Sequence, residues 1–165
     1  MTVIAYRDGY LAADRMCSDG AIVHGYRTKV FSFRGSLGAA CGPSQDCVAF
    51  RQWLERTDDL GIKPELSDQF TGFVVNRDGT VSQYDHRLVP FVIEAHYFAE
   101  GDGYAVALGA MYMGATAEQA VLAACHHVLG CGGGVDVLRL DAQPSVEPSA
   151  SAAAAPKPSM GTMGT

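Results

Sequence analysis

The sequence predicts one α+β domain in which strands are grouped together and helices are kept apart from them. Short apolar runs flank two Asp-Gly pairs, at residues 8–9 and 78–79, which is typical of β-hairpins. Helical spacing of apolar residues is confined to two stretches, 43–61 and 103–127. Because strands and helices do not alternate one by one, the order favours layered antiparallel sheets over a parallel sheet.

The first half of the chain predicts two hairpins and one helix. Asp8-Gly9 readily adopts the positive φ angles of a tight turn, and Arg34-Gly35-Ser36 forms the second turn. A helix is expected to begin at Pro43, because proline is tolerated at a helix start, and to stop at Gly61. The four predicted strands are residues 3–6, 10–13, 29–33 and 37–41.

The second half predicts a third hairpin, two helices and a final strand. Residues 70–75 and 81–84 flank the turn at 76–80, and 88–93 can extend that sheet. Thr116 is suited to cap the second of two helices between Gly103 and about His127. The glycines at 132–134 then lead into a strand over 135–140. From Ala142 the chain is rich in Ala, Pro, Ser, Gly and Met, so we expect a domain over 2–141 and a disordered tail over 142–165.

Composition limits the classes of function. The 165 residues are 48% hydrophobic, enough for one domain with a core. Twelve Lys and Arg against 18 Asp and Glu give a net charge of −6, so the basic surface of a nucleic-acid binder is missing. No apolar run approaches the roughly 20 residues that span a bilayer. We expect a cytoplasmic protein that binds neither nucleic acid nor membrane, with its five cysteines reduced.

An ordered set of short segments carries a family resemblance over roughly residues 2 to 140. The set resembles the proteasome β-subunits and the bacterial HslV peptidase. That resemblance implies an N-terminal-nucleophile hydrolase with a four-layer αββα sandwich, assembled in homo-oligomeric rings that hydrolyse peptides or unfolded proteins, without a cofactor and with a possible ATP-dependent unfoldase as partner. The segments are 2–9, 11–15, Lys29-Val30, 40–42, 74–79, 101–105 and 133–135.

Thr2 is the expected nucleophile once Met1 has been removed. A threonine hydroxyl needs an adjacent base, and an N-terminal threonine has one in its own α-amine, which titrates near pH 8 (about 7.7 to 8.0). Lys29, if close by, would depress the amine's pKa and stabilise the developing alkoxide. Asp14 would keep the lysine charged. Taken alone, a lysine such as Lys29 is more often a solvated strand residue, and an aspartate such as Asp14 is more often a turn former or ion-pair partner.

Three further positions match the family's substrate site. Gly42 would contribute a backbone N–H to the oxyanion hole, although a turn before a helix also explains it. Ser18 matches the start of the segment that pairs with a bound peptide, and an ordinary turn serine is its alternative. Ala40, in the same matching segment 40–42, is the other expected substrate contact.

Two positions depart from the family pattern. Asp102 stands where the family usually has a serine that supports the N-terminal amine, and an aspartate there would raise the pKa of that amine. Val128 lies in the stretch where proteasome subunits have an acidic residue, so a supporting carboxylate is expected to be missing. These departures keep a catalytically inactive ring subunit open as an alternative, beside an amidase that acts on small amides.

The C-terminal part offers two weaker motifs. Cys125, His126, His127 and Cys131 are potential metal ligands, but their spacing does not match a zinc site. A helix end with buried cysteines, and with histidines capping its last carbonyls, is the favoured interpretation. The glycines at 132–134 precede a strand without a Gly-Lys-Ser/Thr sequence, so they do not form a phosphate loop.

Overall fold

A computed structural model describes residues 1–56 and 62–141 of the chain. The described part contains eleven strands and three helices, in the order of grouped strands and separate helices that the sequence predicts. Their bounds are β1 Val3–Arg7, β2 Tyr10–Asp14, β3 Met16–Asp19, β4 Ile22–Tyr26, β5 Val30–Phe33, β6 Ser36–Cys41, α1 Ser44–Glu55, β7 Thr71–Val75, β8 Val81–Tyr84, β9 Pro90–Ile93, β10 Tyr97–Gly101, α2 Tyr104–Tyr112, α3 Ala117–His127 and β11 Val135–Arg139.

The N-terminal hairpin is the centre of the first sheet. Asp8 and Gly9 have φ angles of 51° and 81°, as a two-residue hairpin turn requires, and they set the register that pairs Ile4 with Ala13. β10 pairs with the outer side of β1 and β11 with the outer side of β2, all antiparallel. The start of β1 is thereby placed beside the end of β2 and the end of β10.

The second sheet is a five-stranded antiparallel meander in the order β5-β6-β7-β8-β9. Its strand β6 is rich in small residues because bulky neighbours lie close. A Cβ added at Gly38 would lie 2.5 Å from the Phe31 ring, and one at Gly72 would lie 2.7 Å from Phe50. These glycines therefore allow the aromatic side chains to lie flat on the sheet.

Alternating side chains pack the sheets on both faces. Val3 and Ala5 of β1 join a buried cluster with α2 and α3, whereas Ile4 and Tyr6 point the other way and pack against the second sheet. In the second sheet, Phe31 belongs instead to a cluster with the buried residues of α1. The period-2 alternation of strands therefore gives each sheet one face toward helices and one toward the other sheet.

Most predicted elements agree with the structure. The three hairpins, the helix capped by Thr116 with a capping box to Gln119, and the last strand are all present. The first helix is shorter than predicted, because it ends at Glu55, and its expected stop at Gly61 lies outside the described residues. The small hairpin of β3 and β4 and the strand β10 were not predicted.

The remaining expectations concern membrane-spanning helices and the C-terminal tail. Among the described residues, no helix is both long and apolar enough to cross a bilayer. The expected tail over 142–165 lies outside the described residues, so the division at residue 141 stays a prediction.

Candidate active site

Thr2 lies at the start of β1, buried beside the end of β2. Its hydroxyl donates a hydrogen bond to Asp14 Oδ1 at 2.8 Å. Thr2 is brought to Asp14 by the register of the N-terminal hairpin, in which the short Asp8-Gly9 turn aligns the two strands. Local sequence therefore builds this contact, over a separation of 12 residues.

Asp14 is the centre of the hydrogen-bond network. Its carboxylate is fully buried and accepts five hydrogen bonds, three at Oδ1 and two at Oδ2. A buried carboxylate with this many donors is held in one orientation. The donors are the Thr2 hydroxyl, the Lys29 ammonium and the backbone N–H groups of Val3, Met16 and Gly132.

Lys29 completes a buried ion pair with Asp14. Its Nζ lies 2.7 Å from Asp14 Oδ1, and the two side chains are 3% and 0% exposed. The same Nζ donates to the carbonyl oxygen of Met1 at 3.4 Å. A buried ion pair adds little net stability over apolar residues, because desolvation offsets the Coulomb attraction. Its placement against Thr2 points to chemistry rather than to stability.

Asp102 contacts the backbone nitrogen of Thr2 from the side of β10, whereas Asp14 contacts Thr2 from the side of β2. Its Oδ2 accepts the Thr2 N–H at 3.0 Å, and its side chain lies at the exposed turn between β10 and α2. The turn approaches so closely that a Cβ on Gly101 would lie 2.5 Å from the Thr2 carbonyl oxygen. With Met1 attached, the Thr2 nitrogen is an amide; without Met1 the same atom would be an α-amine beside this carboxylate.

A cavity of about 810 Å³ opens in front of Thr2. Gly42, Ser18 and Ala40 line it, together with Thr2, Lys29 and Asp102. Gly42 has a φ of 114°, and a Cβ there would lie 2.6 Å from the Gln69 carbonyl oxygen, so only glycine fits the turn from β6 into α1. Ser18 belongs to β3; its carbonyl accepts the Met1 ammonium at 3.1 Å, and its hydroxyl donates to Gly130 O at 3.2 Å.

The structure therefore brings every predicted site residue to one place. Hydrogen bonds connect Thr2 to Asp14 and Asp102, and connect Lys29 to Asp14. Sequence reasoning missed other residues that line the cavity, among them Arg27, Cys41 and Glu100. The available signal was their position, because Arg27 and Glu100 each precede a predicted site residue by two and Cys41 lies between Ala40 and Gly42.

The Cys41 thiol, which lines this cavity, is a poor nucleophile. Burial raises the pKa of Cys41 to about 12, and the nearby Glu100 carboxylate adds to the shift. At neutral pH the group is the protonated thiol, which does not attack a carbonyl.

The histidines and cysteines near the end of α3 do not converge. The helix ends at His127, as predicted, and His126 and His127 are exposed with their rings 4.8 Å apart. Cys131 is buried, and burial raises its pKa to about 12. Within residues 1–56 and 62–141, no group of three or more His, Cys, Asp or Glu side chains is placed to hold one metal ion. Val128 packs against the apolar cluster between the first sheet and the helices.

Comparisons with known proteins find a match in structure alone. No family model matches the sequence, and no curated protein does. The structure of Thiobacillus denitrificans BPH matches with a TM-score of 0.63 at 18% identity, over 86% of this chain and 99% of that chain. BPH in complex with epoxomicin matches with a TM-score of 0.62, also at 18% identity, over 84% and 98%. Eukaryotic HslV from Trypanosoma brucei matches with a TM-score of 0.61 at 16% identity, over 83% and 97%. The resemblance seen in the sequence is therefore present in three dimensions, and this chain has the fold of the HslV- and BPH-type proteasome-like peptidases.

Proposed function

We propose that the protein is a threonine peptidase whose nucleophile is the hydroxyl of Thr2, exposed at the chain terminus by removal of Met1. One observation carries the proposal: the Thr2 hydroxyl and the Lys29 ammonium share a single oxygen of the buried Asp14 carboxylate, at 2.8 and 2.7 Å. The fold shared with BPH and HslV supports peptide bonds as the class of substrate.

The geometry supports the following chemistry. The free α-amine of Thr2 accepts the hydroxyl proton as the oxygen attacks the peptide carbonyl. Lys29, fixed by Asp14, stabilises the negative charge on the attacking oxygen, and the backbone N–H of Gly42 stabilises the oxyanion. The protonated amine then gives its proton to the leaving nitrogen, which leaves an ester on Thr2. Water, activated by the same amine, hydrolyses that ester and restores the hydroxyl.

Met1 blocks this chemistry while it is attached. It turns the base into an amide, and its carbonyl and ammonium bond to Lys29 and Ser18. Threonine is small enough for methionine aminopeptidase to remove the methionine before it. We expect mature chains to begin at Thr2, and N-terminal sequencing that finds Met1 on nearly all molecules would contradict the catalytic role.

The same proposal extends to the layers of the domain and to its assembly. Three apolar clusters, two between helices and sheets and one between the sheets, support a four-layer αββα sandwich of the N-terminal-nucleophile type over residues 2–141. An unshielded peptidase would endanger the cytoplasm in which we place it, so we propose a closed homo-oligomeric ring of a dozen or more subunits. An ATP-dependent unfoldase would supply unfolded substrates. Light scattering that finds a peptidase-active monomer at micromolar concentration would contradict the ring.

The buried ion pair between Lys29 and Asp14 favours an active enzyme over an inactive ring subunit. Burying Asp14 and Lys29 is costly, and all five donors around Asp14 are aligned on it. A subunit that only fills a place in a ring needs no such network. The substitution of Asp102 for serine keeps a hydrogen-bond acceptor on the Thr2 nitrogen, which is compatible with activity.

An intact-mass measurement tests the proposal directly. The purified protein is weighed before and after treatment with a peptide epoxyketone, whose two electrophilic centres react with a hydroxyl and an adjacent free amine. We expect a starting mass that lacks Met1 and one adduct per chain, absent from Thr2→Ala. A mature chain without Met1 that forms no adduct and cleaves no peptide would refute the proposal.

A further inference from the structure

The cavity is lined by charged side chains of both signs. Asp19, Glu100 and Asp102 are acidic, and His24, Arg27 and Lys29 are basic. Lys29 is neutralised by its buried partner Asp14. Glu100 lies near Cys41, where its charge contributes to raising the pKa of that thiol. Arg27 therefore supplies a permanent positive charge to a cavity that also carries the carboxylates of Glu100, at the end of β10, and Asp102, in the turn after it.

The Arg27 guanidinium has weak protein partners. Its Nη1 donates one long hydrogen bond, 3.4 Å, to the carbonyl oxygen of Ser44. Within residues 1–56 and 62–141 it forms no ion pair, and its buried Nε–H has no hydrogen-bond acceptor. It also interacts with the Cys47 thiol, whose pKa is raised by burial and lowered in part by the charge of this guanidinium and by a side-chain hydrogen bond to it. A half-buried cation without a counter-ion gains free energy when an anion arrives.

Arg27 is also close to the reacting atoms along the chain. It precedes Lys29 by two residues, a span of at most about 7 Å, and both line the cavity with Thr2. Ser44, which accepts the Arg27 hydrogen bond, is the first residue of α1, and Gly42, two residues before it, is the proposed oxyanion donor. A substrate carbonyl held between Thr2 and Gly42 would therefore place an adjacent side chain within reach of the guanidinium.

We infer that Arg27 determines specificity, and that the site takes peptides with an aspartate or glutamate side chain next to the bond that is cut. This inference rests on the proposed peptidase function. The guanidinium can form two parallel hydrogen bonds to a carboxylate, which favours an acidic over a neutral side chain. The carboxylates of Glu100 and Asp102 disfavour the same side chain in the opposite orientation, so attraction and repulsion give one binding direction.

Hydrolysis of matched peptides is the first test. Three fluorogenic peptides differ only in the residue before the reporter amide, which is Glu, Gln or Leu. For the mature particle we expect kcat/KM for Glu to exceed that for Gln by about tenfold or more. Arg27→Gln should lower kcat/KM for the Glu peptide to about that for the Gln peptide, whereas Arg27→Lys should keep part of the preference. The matched control is Arg51→Gln, which removes an equal charge from α1 at a site away from the cavity, where Arg51 pairs with Glu55. It should leave the preference unchanged.

Binding separates this inference from the proposed chemistry. Labelled peptides ending in Glu or Gln are titrated by fluorescence anisotropy into Thr2→Ala particles with and without Arg27→Gln. We expect tighter binding of the Glu peptide, weakened by salt, and loss of the difference with Arg27→Gln. Equal binding of both peptides, or a difference that survives Arg27→Gln, would overturn the role of Arg27 even if the enzyme is active. A binding difference in a protein that cleaves nothing would instead count against the peptidase function alone.

Discussion

Two groups of reactive side chains in this molecule differ in whether the fold brings their members into contact. The threonine cluster (Thr2, Asp14, Lys29, Asp102) comes from four separate segments, yet hydrogen bonds of 2.7 to 3.0 Å connect its members. The cysteine–histidine segment (125–131) is compact in sequence, yet its histidines are exposed and its thiols carry raised pKa values. Closeness in sequence is therefore a poor guide to a site, whereas convergence on a buried charge is a good one.

The largest expected effect is from Thr2→Ala. Removing the hydroxyl removes the only proposed nucleophile, so we expect peptide hydrolysis to fall by more than about a thousandfold. Alanine is also small enough for Met1 to be removed before it. The matched variant Thr2→Ser keeps a hydroxyl and should retain measurable turnover. Substantial hydrolysis by Thr2→Ala particles would show that the nucleophile lies elsewhere.

The next effect is from Lys29→Arg. The change keeps the positive charge but replaces a compact ammonium with a planar, bulkier group that cannot occupy the same space between Asp14 and Thr2. We expect turnover to fall on the order of a hundredfold, comparable to the loss of one preorganised electrostatic contact. Rates are compared for particles of equal size by light scattering. Equal rates for Lys29→Arg and wild type would refute the assigned role.

Sequence reasoning predicted the tight turns and the capped helix better than it predicted the strands that lack a buried alternating face. Hairpins with Asp-Gly turns were predictable because two residues determine turn geometry and register. The helix start at Thr116 was predictable for the same local reason. The hairpin of β3 and β4 was missed because its side chains are mostly exposed and lack a buried alternating face. Strand β10 was missed because the feature that defines it is its hydrogen-bonded pairing with β1, which is far away in the sequence.

Some features of the candidate site could not be predicted from the sequence, and the cause differs from that for the strands. Thr2, Asp14 and Lys29 were identified from the resemblance, and the chemistry of an N-terminal threonine supported them. The five donors around Asp14 could not be predicted, because the Gly132 N–H comes from a loop 118 residues away. The charge on the cavity wall at Arg27 was missed for the same reason, since distant segments form that wall together.

A smaller effect is expected from Asp102→Ser. The Asp102 carboxylate lies 3.0 Å from the Thr2 nitrogen, and a negative charge there stabilises the protonated amine and raises its pKa. Serine keeps an acceptor oxygen without the charge, so the pKa of the amine should fall. More amine is then free to act as base at low pH, and kcat/KM near pH 6.5 should rise several-fold while the values converge at high pH.

The control for this prediction is Asp19→Asn, which removes another carboxylate from the cavity wall. Its pH profile should keep the wild-type midpoint, because no hydrogen bond connects Asp19 to the Thr2 nitrogen among the described residues. Titration of the Thr2 amine by its rate of reductive methylation gives the same midpoint without relying on turnover. An Asp102→Ser midpoint equal to or above that of wild type would contradict the electrostatic argument.

The smallest effects are expected in the cysteine–histidine segment. A thiol binds metal as thiolate, and Cys131, with a pKa raised to about 12 by burial, carries about a thousandth of the thiolate of a free cysteine at neutral pH. His126 and His127 are exposed at the last turn of α3. The double variant His126→Gln/His127→Gln should therefore change the free energy of unfolding by less than about 0.5 kcal/mol and leave peptide hydrolysis unchanged. Micromolar Zn²⁺ should give the same shift in Tm, within error, for the double variant and for wild type. A zinc-dependent rise in Tm that is lost in the double variant would show that this segment converges on a metal after all, and the contrast with the threonine cluster would fail.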